Sequence, residues 1–152
     1  MQNEDHKITS FYHYGYSVVD LEKAIDIFEN ELGLTKITKR EISLPYVSAL
    51  VAKPGAKARL AFFELPDGTF IEILEWDKAQ SNNHHVEIYD AGAQHICLNV
   101  TNINIWWNKV KNSSNIEAVS TSVVQVETGP NAGARVFFAR LFGNLFIEFF
   151  ER

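Results

Sequence analysis

The chain states one unit twice, and that duplication constrains its fold more than any local propensity does. His13 opens "HYGYSVVDL" and His95 opens "HICLNVTNI". A constant offset of 82 links His13 to His95, Val18 to Val100, Asp20 to Asn102 and Leu21 to Ile103. A second echo closes each half, "DGTFIEILE" at Asp67–Glu75 and "GNLFIEFFE" at Gly143–Glu151, where Glu72 and Glu148 lie 76 apart. A unit stated twice in a chain of 152 residues implies two small modules, each supplying one histidine and one glutamate at equivalent places.

The element pattern predicts β-α-β-β-β for each half. Phe11–Val19 is β-branched and aromatic enough for a strand, and Asp20 stands as N-cap before "LEKAIDIFENELG". There Leu21, Ile25, Phe28 and Leu32 share one helical face, and Gly33 suits a C-cap. Strands follow at Leu34–Ile42, Lys57–Leu65 and Thr69–Trp76, the last two flanking a "PDG" turn. Ser43–Ala56 reads as a loop or short helix and hence a lid. The second half gives a strand at Gln94–Val100, Asn102 as N-cap and a helix with Ile103, Trp106, Trp107 and Val110. Three strands then fall at about 116–128, 134–140 and 145–151, the first two joined by "GPNAG". The expected fold class is α+β. One module spans 11–76, a polar linker 77–92 and the second module 93–152, after a polar tail of about ten residues.

Strand alternation then selects a face. Tyr14, Tyr16 and Val18 point one way and His13, Gly15 and Ser17 the other; Ile96, Leu98 and Val100 likewise oppose His95, Cys97 and Asn99. With the apolar sets under the helices, the histidines face away from them. So do Glu72, opposed by Ile71 and Ile73, and Glu148, opposed by Ile147 and Phe149. An ionised carboxylate among phenylalanines is costly without a positive partner. A divalent cation on His13, Glu72, His95 and Glu148 answers that cost and leaves coordination positions open. His/Glu ligands accept Zn, Ni, Co, Mn or Fe, so the metal's identity is left open.

Bulk properties exclude several classes. A net charge of −5 with no basic block argues against nucleic acid and anionic membranes. No apolar run approaches the roughly 20 residues of a membrane helix, and "MQNEDHKITS" lacks the apolar core of a signal peptide. Cys97 is the only cysteine, so no internal disulfide forms and a cytoplasmic setting is expected. Eleven Phe, five Tyr and three Trp suit a large apolar interior and a homodimer.

The segments "HYGYSVVDLEKAIDIFENELGL", "FIEILEW", "HICLNV" and "GPNAGARVFFARLFGNLFIEFFE" resemble the vicinal oxygen chelate superfamily over residues 11–152. That superfamily holds glyoxalase I, methylmalonyl-CoA epimerase, the fosfomycin- and bleomycin-resistance proteins and the extradiol dioxygenases. The resemblance implies paired βαβββ units curved into a half-barrel around a metal, with ligands at His13, Glu72, His95 and Glu148. A full set of four ligands implies the lyase and isomerase branches, where the metal stabilises an enediolate or enolate of a small-molecule substrate. Glu72 or Glu148 would move a proton at the adjacent carbon. The alternatives are an extradiol-type dioxygenase and a non-catalytic ligand-binding protein like those of bleomycin resistance. Leu141-Phe142-Gly143-Asn144 departs from the family's usual Asp-Pro-Asp-Gly, which implies a changed loop before an intact strand.

Arg40, Arg59, Arg135 and Tyr46 are candidates for holding an anionic substrate, although strand-edge arginines are more often simply solvated. Cys97 should share the face of His95 as a buried, unreactive thiol. His84 and His85 fit an exposed linker. Trp106 and Trp107 fit packing against the sheet or a dimer partner.

Overall fold

The computed structural model describes residues 7–77 and 86–152, so the linker histidines His84 and His85 lie outside the described residues, with half of the linker. The chain divides into two compact units, Met1–Ser81 and Asn82–Arg152. The first runs β1 (His13–Ser17), α1 (Leu21–Asp26), β2 (Thr35–Ile42), α2 (Pro45–Leu50), β3 (Ala58–Glu64) and β4 (Phe70–Trp76). The second runs β5 (Gln94–Asn99), α3 (Ile103–Lys111), β6 (Glu117–Ala118), β7 (Val124–Gln125), β8 (Arg135–Phe142) and β9 (Leu145–Glu151). The fold is α+β. Each unit has its own open sheet, ordered β1-β4-β3-β2 in the first and β5-β9-β8-β6 in the second, with β7 also on β8. The opening and closing strands of each unit run parallel, β1 beside β4 and β5 beside β9.

That parallel pairing places the repeat's two signature residues side by side. Gly15 sits opposite Glu72 and Cys97 opposite Glu148, so each histidine is one step along the same face from its glutamate. The alternation holds in both closing strands. Ile71 and Ile73 are buried around a half-buried Glu72, as are Ile147 and Phe149 around Glu148.

The buried face of each sheet packs on its helix. Leu21, Ile25, Phe28 and Leu32 are all buried, and Phe28 stacks on Phe63 of β3 with centroids 5.0 Å apart. In the second unit Phe137 stacks on Phe149 at 4.6 Å, and Trp106 and Trp107 lie against this pair at 5.3 and 5.2 Å. Each such buried ring contributes about 2 to 3 kcal/mol by area alone. Both tryptophans pack against the sheet.

Three local expectations are corrected. The first helix does not continue regularly to Gly33. After Asp26 it widens into a π turn over Ile27–Glu31, in which the Leu32 N–H donates to Ile27 O, and Gly33 then leaves at φ +71°. Asp20 caps α1 through a 3.0 Å bond from the Lys23 N–H, but Asn102 makes no side-chain cap on α3. The strand expected over 116–128 is broken into β6 and β7. Between them the Ser120 hydroxyl accepts the Phe138 N–H at 2.8 Å, a bond the ladder would otherwise need. Ser43–Ala56 contains the short helix α2, with Pro45 at its first turn. The altered 141–144 segment makes a two-residue turn at Gly143–Asn144, and β9 beyond it is intact.

Candidate metal centre

In the first unit His13 Nε2 stands 3.3 Å from Glu72 Oε2. In the second, His95 Nε2 stands 3.6 Å from Glu148 Oε2. Both separations exceed the roughly 2.7–3.2 Å of an ordinary N–H···O hydrogen bond. They match instead two donor atoms on one cation, since bonds of about 2.0–2.2 Å leave neighbouring ligand atoms roughly 3 to 3.5 Å apart. An imidazole nitrogen and a carboxylate oxygen are donors that a borderline divalent metal accepts. By donor type and spacing, each pair suits a divalent metal. Neither unit by itself gathers three or more His, Cys, Asp or Glu side chains into a metal-binding group among the described residues.

Aromatic rings hold the imidazoles. Phe62 meets His13 edge-on at 5.6 Å, and Phe138 meets His95 edge-on at 5.5 Å. Tyr12 closes the other side of His13 at 5.0 Å and reaches Phe70 at 5.9 Å. His13 Nδ1 is buried and has no hydrogen-bond partner among the described residues, so ring packing and the Glu72 carboxylate set the imidazole's orientation. Ligating histidines usually anchor that second nitrogen, and no anchor stands there among the described residues.

Gly15 keeps space beside the first pair. A Cβ there would meet Glu72 Oε2 at 3.6 Å and His13 Nε2 at 3.9 Å, ordinary contacts that would nevertheless narrow the approach. At the equivalent place in the second unit stands Cys97. It is exposed rather than buried, but its surroundings and then the Glu148 carboxylate push the thiol up to about 11. At neutral pH it is protonated and a poor nucleophile, as expected of an unreactive thiol.

On the opposite face lies a second duplicated device that the sequence pattern did not bring forward. Arg59 donates twice to the Glu75 carboxylate, both at 2.8 Å, and Glu75 Oε2 accepts the Leu21 N–H at 2.7 Å. Arg135 donates to Glu151 at 3.1 Å, and Glu151 Oε1 accepts the Ile103 N–H at 3.0 Å. The carboxylate at each sheet's end thus ties down a helix N-terminus, which explains how α3 manages without a cap from Asn102. Burial pushes the Glu75 carboxyl up, but the Arg59 and Leu21 bonds outweigh it and hold it below the usual range. Arg59 and Arg135 are therefore occupied on the helix side and not available to a ligand beside the histidines. The signal existed: Arg59, Phe62 and Glu75 recur as Arg135, Phe138 and Glu151 at the same offset of 76 that links the site glutamates.

Arg40 lies on the site face and Tyr46 is exposed on α2. Arg140, also overlooked in the sequence, lies over the Phe146 ring at 4.6 Å and donates to the carbonyls of Val86 and Gly143.

With this geometry in place, the comparisons are specific about family. A model of the Glyoxalase/Bleomycin resistance protein/Dioxygenase superfamily matches residues 10–146, and the chain belongs to that superfamily. Among solved structures it is similar to a glyoxalase family protein from Bacillus cereus, at 19% identity over 97% of both chains with a TM-score of 0.83. It is also similar to the fosfomycin resistance protein FosX from Listeria monocytogenes, solved with Mn(II) and sulfate. There the identity is 18%, over 96% of this chain and 94% of that one, with a TM-score of 0.62. A glyoxalase/dioxygenase from Nostoc punctiforme gives 16% identity over 93% and 90%, with a TM-score of 0.65. At these identities the likenesses carry the fold. No curated protein matches the chain. No helix among the described residues is long and apolar enough to cross a membrane.

Proposed function

We propose that the protein is a metal-dependent lyase or isomerase of glyoxalase I or epimerase type, acting on a small molecule by proton transfer at a carbon beside a carbonyl. The modules at 11–76 and 93–152, joined by 77–92, each supply half of the centre: His13 and Glu72 from one, His95 and Glu148 from the other. The observation that carries this is the repeated imidazole–carboxylate spacing of 3.3 and 3.6 Å at equivalent strand positions. A divalent cation held there would supply a Lewis acid that polarises a substrate oxygen. The imidazoles, kept in place by the edges of Phe62 and Phe138, act as fixed donors. Glu72 or Glu148 removes the proton and returns it to the same or the neighbouring carbon, while the other carboxylate stays in place. The cation is one of Zn, Ni, Co, Mn and Fe. We place the protein in the cytoplasm as a homodimer, a state supported by the exposed Ile8, Phe11 and Tyr12.

Metal analysis after purification without chelator tests the ligand set. We expect stoichiometric metal in the wild type and none in a His13→Ala, His95→Ala double variant; metal retained in that variant overturns the assignment. Deuterium exchange at the carbon beside the carbonyl of α-hydroxycarbonyl and acyl-thioester compounds tests the reaction. Fe(II)-dependent oxygen uptake with catechols would replace it with an extradiol-type dioxygenase. An apolar ligand bound without metal and without exchange would replace it with a binding protein of bleomycin-resistance type.

A further inference from the structure

We propose that Arg40 fixes an anionic group of the substrate, several bonds away from the oxygens that meet the metal donors; this rests on the metal-dependent function proposed above. Arg40 of β2 stands opposite Leu60, which stands opposite Leu74, while one step along the same face Thr38 stands opposite Phe62 and Phe62 opposite Glu72. Directly opposed residues share a sheet face, so Arg40 is on the face of His13 and Glu72. Its neighbour Lys39 points the other way and bonds Glu22 at 2.8 Å on the helix side.

The chain has five arginines, and four are engaged. Arg59 is held by Glu75 and Glu22, and Arg135 by Glu151 and Asn104. Arg140 is held by two carbonyls with Glu87 and Glu117 beside it, and Arg152 by Asn131 over the Phe150 ring. Arg40 is exposed and makes no hydrogen bond, ion pair or ring contact among the described residues. The second module does not reproduce this arrangement. There Arg140 faces the site side of its sheet, but Glu117 of β6, directly opposite it, lies 3.2 Å from its Nε.

Two strand spacings and one two-residue step put the Arg40 and Glu72 Cα atoms roughly 12 Å apart. The floor between them is Leu60, Phe62 and Leu74, of which Leu60 is buried. An unpaired guanidinium beyond an apolar floor suits a ligand with a short carbon chain and a terminal carboxylate or phosphoryl group. Its other end would carry the adjacent oxygens that reach the metal.

The test uses full-length protein loaded with Mn(II), first titrated for the metal and then for two acids of equal chain length, 2-hydroxyglutarate and 2-hydroxypentanoate. Wild-type protein should bind the first at least about tenfold more tightly, the scale of one charge-assisted contact. Arg40→Gln should erase that preference, Arg40→Lys should keep part of it, and Mn(II) affinity should not change in either. A preference that survives Arg40→Gln, or no preference in the wild type, overturns the role of Arg40 with the metal site intact. Failure of the wild type to bind Mn(II) overturns the metal-dependent function, and this inference with it.

Discussion

The two modules agree where side chains face the candidate centre and differ at their edges. In both, a histidine sits beside a glutamate, a phenylalanine edge braces the imidazole, and an arginine–glutamate clasp ties the helix end to the sheet. Outside these features they diverge. Gly15 becomes Cys97, the eight-residue β2 becomes the broken pair β6 and β7, and Phe70, half exposed beside Tyr12, becomes Phe146, sealed beneath Arg140. The first module has the open aromatic wall and an Arg40 that is unpaired among the described residues; the second has its cation already neutralised.

The largest expected effect tests the equivalence of the two cores. Phe63→Ala and Phe149→Ala each remove one ring of a stacked pair, Phe28–Phe63 between helix and sheet and Phe137–Phe149 within the sheet under α3. Both should cost about 3 to 5 kcal/mol in chemical denaturation. A loss under about 1 kcal/mol in either would show that its unit does not depend on that stack.

Next in size comes the donor set. His13→Ala and His95→Ala alone should each weaken Mn(II) binding by at least about 100-fold, and by similar factors, because removing a ligand should exceed the 10–100-fold typical of outer-shell changes. Calorimetric titration reads both. A large loss from one and none from the other would break the symmetry and place the metal in a single module.

The clasps should matter less. Glu75→Gln and Glu151→Gln keep a hydrogen-bond acceptor but lose the charge, and each should cost about 1 kcal/mol at pH 7. For Glu75 the sign with pH is defined. Its folded value lies below the ordinary glutamate value of about 4.3, so its contribution is present above that pH and fades as pH falls through the folded value. Melting temperatures of wild type and Glu75→Gln should therefore differ at pH 7 and draw together as the pH falls below the ordinary glutamate value. A constant gap across that range would mean that the loss is one of packing.

The duplication explains how much was visible in the sequence. Strand parity around Glu72 and Glu148 follows from alternation alone, and the apolar stripe of the first helix from its spacing, so both were readable without coordinates. The parallel pairing of β1 with β4, which brings His13 to Glu72, joins residues 57 apart, and no local pattern encodes it. Register also decided which arginines matter. Arg40 and Arg59 look alike as strand arginines, but one faces the site and the other is locked to Glu75 behind it. The break between β6 and β7 is not legible in the sequence, because a serine hydroxyl in place of a ladder bond leaves no mark on hydrophobic periodicity.

The smallest effect separates the two helix starts, which the offset of 82 makes formally equivalent. Asp20 is extended and its carboxylate accepts the Lys23 N–H at 3.0 Å, so Asp20→Ala should cost about 1 kcal/mol. Asn102 instead adopts φ +57° and ψ +56°, a left-handed conformation, and makes no cap bond of its own. Glu151 accepts the first N–H of α3 in its place. Glycine adopts that conformation without steric cost, so Asn102→Gly should change stability by no more than about 0.5 kcal/mol in either direction. Urea denaturation of the two variants side by side resolves the difference. Equal losses would show that Asn102 caps α3 in solution after all, and that the helix starts are alike where the structure makes them different.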